Sequence, residues 1–513
     1  EFEGKSELEK AFAAYPFNVQ LYNLLQLMGT LETFVTIERG PFILKLPKRE
    51  APVMAEAALE LLEEEIELLE AKYQVELETP ILIEMFDQHD DFMVRSVGLP
   101  GNAGHLGICF GQLVTMDAPS VRPTGSSNWR SVLWHEFAHV ISLQKTKNRM
   151  PRWLSEGISV YEEQERSPAW HNRLDPNYRA ILAAEGIPGL RNIDGFFTSP
   201  KSAMHLMYGY FVAGEFITFY TGHYGFQALV DALQKIADGA WAEDALISAA
   251  NTSFETLDSD FHAHLEKRFA AFDNLPEVQQ APQGAAGQTA QRMLGGAGQP
   301  AAQPSSPFTD ALKKGAEAMQ QRDWDTAESA WRSAHELFPD YAGGDAPLRQ
   351  LARMYEARGQ RDKWIETLEQ VRLLTPQELD ATLQLKRLYR EDGEWEKAID
   401  AADWALGIDP YNAETHRIYA EGLIETGRGT EAIDTFAVLT HLDPGNASSY
   451  RLQRADLLLD TGQSEPAKRE VIALLEQMPH YWDAQRLLLE IVEQADPEPE
   501  AIAEPLAETP DSD

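Results

Sequence analysis

The chain has a single cysteine, Cys109, among 513 residues, which excludes an internal disulfide and any cysteine-rich zinc module. Basic residues are scarce too: 44 Lys and Arg stand against 82 Asp and Glu, a formal charge of −38. With no local basic patch, that balance repels phosphates and argues against a nucleic-acid partner. No apolar run approaches the length needed to cross a bilayer, so no transmembrane segment is expected. The first residue is Glu1 and no signal-peptide pattern follows. The start therefore reads as processed or trimmed, and the compartment stays open between periplasmic or otherwise exported and cytoplasmic. What is present is ordinary: 43% hydrophobic and 25% charged residues are the proportions of a globular protein, long enough for about two to four domains.

Residues 1–30 read as a helical segment with Leu8, Phe12, Leu21, Leu24 and Leu25 as its apolar positions. Phe34–Ile37 and Phe42–Leu46, separated by Arg39-Gly40-Pro41, predict a β-hairpin. A long acidic helix follows over about residues 51–73; its run Glu63-Glu64-Glu65 reads as a solvated face. Pro80–Phe86 predicts a strand, and Gly107–Met116 another, punctuated by glycine. From about Trp129 to Phe272 the pattern is almost wholly helical. Residues 31–274 are thus expected to form an α+β domain, a small mixed sheet followed by a helical block. Residues 275–307, rich in Gly, Pro, Ala and Gln, read as a flexible linker. Residues 496–513, with repeated acids and prolines, read as a disordered tail.

Between linker and tail, over residues 308–495, lies a repeat. Pro339, Pro376, Pro410, Pro444 and Pro479 recur at spacings of 37, 34, 34 and 35, and Gly359, Gly393, Gly427 and Gly462 recur in the preceding turns. Ala327, Ala398, Ala432 and Ala467 each sit twelve residues before their proline. Each unit reads as helix, glycine turn, helix, proline stop. The pattern resembles tetratricopeptide repeats, with Gly315, Trp331, Leu385, Tyr389 and Phe436 at matching positions. The resemblance implies an all-α solenoid of about five repeats that holds a protein partner. The second repeat departs, with Trp364 where a small residue belongs, and irregular packing is expected there.

One segment carries chemistry. His135-Glu136-Phe137-Ala138-His139, on a helix, puts two imidazoles four residues apart on one face, where they can share a metal ion. Ser126, Ser127 and Asn128 are candidate caps for that helix. Glu136 points off the histidine face, so its natural role is general base toward a metal-bound water. Glu156 lies on what reads as a second helix, started by Pro151. An inward carboxylate among Trp153, Leu154, Ile158 and Tyr161 is costly unless paired or metal-bound, which makes it the third ligand. Two imidazoles, one carboxylate and an open position describe one catalytic Zn2+. Glu162 and Glu163, two turns further along, read as surface.

The block Met150–Glu163 after the HExxH helix resembles the gluzincin metallopeptidases, closest to peptidase-MA-like domains found beside tetratricopeptide repeats. The resemblance implies a zincin-like metallopeptidase domain and a peptide or protein substrate. It also implies a substrate strand added along an edge formed by Gly107, Ile108, Cys109 and Phe110. A tyrosine that stabilises the oxyanion falls on Tyr210 when Tyr224-Gly225 is aligned, with Tyr208 the fallback. Two departures stand out. Val160 occupies the position where some gluzincins carry an acid bonded to a ligand histidine. The Gly-x-Met-Glu-Asn element of aminopeptidases is missing, which favours endopeptidase action. His105, His205 and His223 read as structural. The resulting expectation is a zinc-dependent peptidase. Its rivals are a catalytically silent zinc-binding scaffold and a non-proteolytic zinc hydrolase.

Overall fold

The computed structural model describes residues 2–276 and 305–495. The chain forms two compact units, residues 1–385 with 407–410, and residues 386–406 with 411–513. The division falls inside the repeat region, not at the compositional change near residue 275. The expected linker, apart from its ends, and the expected tail lie outside the described residues.

The first unit opens on two helices, α1 (Phe2–Ala14) and α2 (Val19–Leu31), broken where Pro16 interrupts the run. Strands β1 (Val35–Arg39) and β2 (Phe42–Leu46) form the expected hairpin, with Arg39 opposite Phe42 and Gly40 at φ 54° in the turn. Helix α3 (Ala51–Tyr73), strand β3 (Ile81–Phe86) and helix α4 (His89–Val97) follow.

Residues 107–117 correct the sequence reading. In place of one strand there are two, β4 (Gly107–Cys109) and β5 (Leu113–Asp117), paired antiparallel. Gly111 turns the chain at φ 85°, a conformation other residues adopt at a cost. The Phe110 N–H donates to the Leu113 carbonyl at 2.7 Å and closes the turn. The sheet order is β1-β2-β3-β5-β4, with parallel pairing of β2 to β3 and β3 to β5. β4 is therefore an edge.

The helices that follow are α5 (Trp129–Lys145), α6 (Arg152–Arg166), α7 (Tyr178–Glu185), α8 (Ile193–Thr198), α9 (Ala203–Tyr224), α10 (Phe226–Ala237), α11 (Ala242–Ala250) and α12 (Phe254–Phe269). Asn128 caps α5: its Oδ1 accepts from the N–H groups of Arg130 and Ser131 at 3.0 and 3.2 Å. Pro151 stands at the N-cap of α6. Helices α6 and α9 pack closely because a Cβ on Gly157 would lie 2.6 Å from the Ala213 carbonyl oxygen, and one on Gly214 2.5 Å from Val160.

The repeat helices begin with α13 (Pro307–Gln320), α14 (Trp324–Leu337), α15 (Pro347–Ala357) and α16 (Arg361–Val371). They continue as α17 (Leu379–Asp392), α18 (Trp395–Ile408), α19 (Ala413–Glu425), α20 (Gly429–Leu442), α21 (Ala447–Asp460), α22 (Ser464–Gln477) and α23 (Trp482–Ala495). Gly359, Gly393, Gly427 and Gly462 all take positive φ, and Ala327, Ala398, Ala432 and Ala467 are fully buried. The first pair turns instead on Arg322, at φ 57°. In the second pair both helices are 11 residues long, against 14 in the first, and Trp364 is only partly buried. The expected architecture, an α+β domain followed by an all-helical repeat array, is the one observed.

Candidate metal centre

Helix α5 carries His135 and His139 one turn apart, and their rings stand 4.9 Å apart between centroids. Glu156 reaches them from α6. Its Oε2 lies 3.3 Å from His135 Nε2 and 3.2 Å from His139 Nε2. The three ligand atoms lie within 4.8 Å of one another, the single such group among the described residues. Two atoms each bonded to a tetrahedral zinc at about 2.0–2.1 Å sit about 3.3 Å apart. The separations from Glu156 match that edge, and two imidazoles with one carboxylate are donors that zinc takes. The residues fit a zinc ion.

The ring nitrogens facing away from this centre are also held. His135 Nδ1 lies 2.6 Å from Glu163 Oε1. His139 Nδ1 lies 2.7 Å from Ser155 Oγ, which in turn sits 3.1 Å from Ser142 Oγ. Where Nδ1–H donates to these partners, Nε2 is the nitrogen left to take a metal once its own proton is displaced. Glu163 is thus the acid whose place Val160 leaves empty, and it is not a surface residue. Glu162 is buried as well, bonded to the Tyr73 hydroxyl at 2.5 Å and to Lys72 at 2.6 Å. A helical count puts Glu163 seven residues, two turns, beyond Glu156 on the same face, but the count does not say that a histidine meets it there.

Burial and neighbouring charge set the protonation of the group. Burial works against the Glu156 carboxylate, but His139 and His135 hold it well below the usual carboxylate range. Burial also works against a charged His135, yet its bonds to Glu156 and Glu163 hold its proton well above the ordinary imidazole range. Glu136 is raised, first by burial and then by Glu156 and Glu163, with both histidines opposing. A carboxylate made more basic in this way is the better proton acceptor.

Glu136 faces the edge strand. A Cβ on Gly107 would lie 2.5 Å from Glu136 Cγ and 2.7 Å from Oε1, so only glycine lets the carboxylate lie against the β4 backbone. Phe110 N–H and the Leu106 carbonyl bond toward β5; by antiparallel alternation Gly107 and Cys109 direct their backbone groups outward. Ile108 packs beside Phe86 and Phe92, and Phe110, half exposed, lies just past the strand end. The Cys109 thiol is pushed up by burial, with Glu136 adding to it.

Tyr210 on α9 lies beside His135, with ring centroids 6.2 Å apart. Its hydroxyl is raised by burial and by Glu156, with Arg152 opposing. Tyr208 packs instead against Tyr178 and Phe196, and its buried hydroxyl has no partner among the described residues. His105, His205 and His223 lie outside the cluster; His205 pairs with Glu185 at 3.3 Å.

Residues 64–267 match the profile of the Peptidase MA superfamily, and this segment is a peptidase-MA domain. With the helix pairs behind it, the chain is a peptidase-MA domain followed by tetratricopeptide repeats. No curated protein matches it. Among solved structures it is similar to MamA protein, at 19% identity and TM-score 0.24 over 40% of this chain and 98% of that one. It is similar to MamA from residue 41 onward of Desulfovibrio magneticus RS-1, at 11% identity and TM-score 0.23 over 34% and 98%. A third is YrrB, a tetratricopeptide-repeat protein with an unusual peptide-binding site, at 16% identity and TM-score 0.24 over 35% and 96%. The repeat assignment rests on the helix pairs and their spacing, not on these likenesses. No helix among the described residues is long and apolar enough to cross a membrane.

Proposed function

We propose that the protein is a zinc-dependent endopeptidase whose repeats recruit its protein substrate or a protein partner. The observation that carries this reading is the convergence of His135, His139 and Glu156 beside a Glu136 carboxylate laid against an edge strand. A zinc ion held by His135, His139 and Glu156 supplies a Lewis acid and a water of lowered pKa. Gly107 and Cys109 offer outward N–H and C=O groups to which an extended peptide adds as a further strand. That pairing brings a scissile carbonyl alongside Glu136. The Glu136 carboxylate takes the proton from the attacking water and later gives it to the leaving amine. Tyr210 donates its hydroxyl hydrogen to the oxyanion of the tetrahedral intermediate.

The test uses the full-length protein, zinc-loaded and then stripped with a chelator, on a broad peptide library. Cleavage is expected only with metal. Glu136→Gln is expected to keep zinc and lose turnover by about 10²–10⁴-fold. Hydrolysis that persists without metal, or at wild-type rate in Glu136→Gln, would overturn the reading. Zinc bound stably with no cleavage of any peptide would instead make the chain a scaffold acting through its repeats.

A further inference from the structure

Arg152, the first residue of α6 and one turn before Glu156, carries no motif in the sequence. Its Nε donates to Glu156 Oε1 at 2.9 Å, while Oε2 of the same carboxylate faces both imidazoles at 3.2 and 3.3 Å. The guanidinium lies over the Phe197 ring, 5.8 Å from its centroid. Phe197 in turn packs edge-on against Tyr210 at 5.2 Å. Arg152 itself is about half exposed, at 49%.

We propose that Arg152 is a positioning residue that holds Glu156 to one oxygen toward the metal position and, through the Phe197 ring on which it lies, sets where Tyr210 stands beside it. This rests on the zinc-peptidase reading above. A carboxylate free to turn offers both oxygens to a cation, and a second oxygen would take the position that water must occupy. The charged hydrogen bond to Oε1 prevents that rotation. A planar guanidinium can hold a carboxylate through Nε while its plane rests on an aromatic face and fixes that ring; a compact ammonium does not reproduce this geometry.

Full-length wild type, Arg152→Lys and Arg152→Met are compared by zinc competition with a chromogenic chelator and by peptide kinetics. Arg152 is half exposed, so circular dichroism is expected to show all three folded. Arg152→Met is expected to weaken zinc binding about 10–100-fold, the cost of losing a partner that orients a ligand. Arg152→Lys should restore most of that affinity but not kcat, with KM little changed. In the Arg152→Met background, adding Tyr210→Phe should lower kcat by less than it does in wild type. Arg152→Met binding zinc as tightly as wild type, or Lys and Met behaving alike in both measurements, would overturn the proposal while leaving the peptidase reading intact. A wild type that binds no zinc would overturn both.

Discussion

At the scale of single residues, the site turns on one missing methyl group. Gly107 leaves room for Glu136, whose Cγ would meet a Cβ there at 2.5 Å and whose carboxylate oxygen would meet it at 2.7 Å. Gly107→Ala is expected to displace the carboxylate and lower kcat by about 10²-fold or more, the scale of a lost general base. Zinc affinity should stay at the wild-type value, because the atoms that a Cβ there would meet first belong to Glu136 and not to His135, His139 or Glu156. Rapid turnover by that variant would show that Glu136 does not work where it lies. The inner residues of the site are legible in the sequence because helical spacing is rigid: an offset of four from His135 to His139 leaves little choice of geometry. Glu156 is legible as an acid stranded among apolar neighbours. Glu163 and Arg152 are not, since a charged residue near a helix end looks the same whether it meets water or a buried partner. Only the approach of α5 and α9 decides between them.

At the scale of elements, the pattern bounds helix α3 correctly, yet one of its acids does not face solvent as expected. Glu65 is fully buried and neither of its oxygens has a partner among the described residues. Burial, with Glu162 and Glu64 adding and Arg166 opposing, pushes its carboxyl well above the usual range. A carboxyl raised in the folded state contributes most below its unfolded value near 4.5, and that contribution is lost as pH climbs toward the folded value. Glu65→Gln should therefore match wild type at low pH and become relatively more stable as pH rises between those two values, by about 1.4 kcal/mol for each pH step of one. Urea unfolding at a series of pH values reads this directly, and a difference that stays flat across pH would refute it. The departure has a plain cause: in Glu63-Glu64-Glu65 successive side chains point about 100° apart, so one of three can face inward. The hairpin β4–β5 reads as one strand for a related reason, since period alone does not show where a glycine reverses the chain.

At the scale of the whole molecule, the change in composition near residue 275 suggests independent domains, but the first compact unit takes in the first two helix pairs as well. Arg268 on α12 bonds Glu215 on α9 at 3.0 Å and Asp340, just past α14, at 2.7 Å. Phe272 stacks on Phe338 at 6.1 Å, and both rings are buried. The sequence pattern does not reveal such a contact, because its partners are separated by the low-complexity segment and carry no periodicity that links them. Phe338→Ala is expected to cost about 3–5 kcal/mol. It should lower the midpoint of zinc release and that of helix loss together in a denaturant titration. Separate midpoints would mean that the metal domain and these repeats unfold independently. Glu215 stands five positions after Tyr210 on the same rod of backbone, and one guanidinium ties it to the first repeat. A load hung on that repeat therefore pulls, through Arg268, on the same helix that carries the Tyr210 hydroxyl.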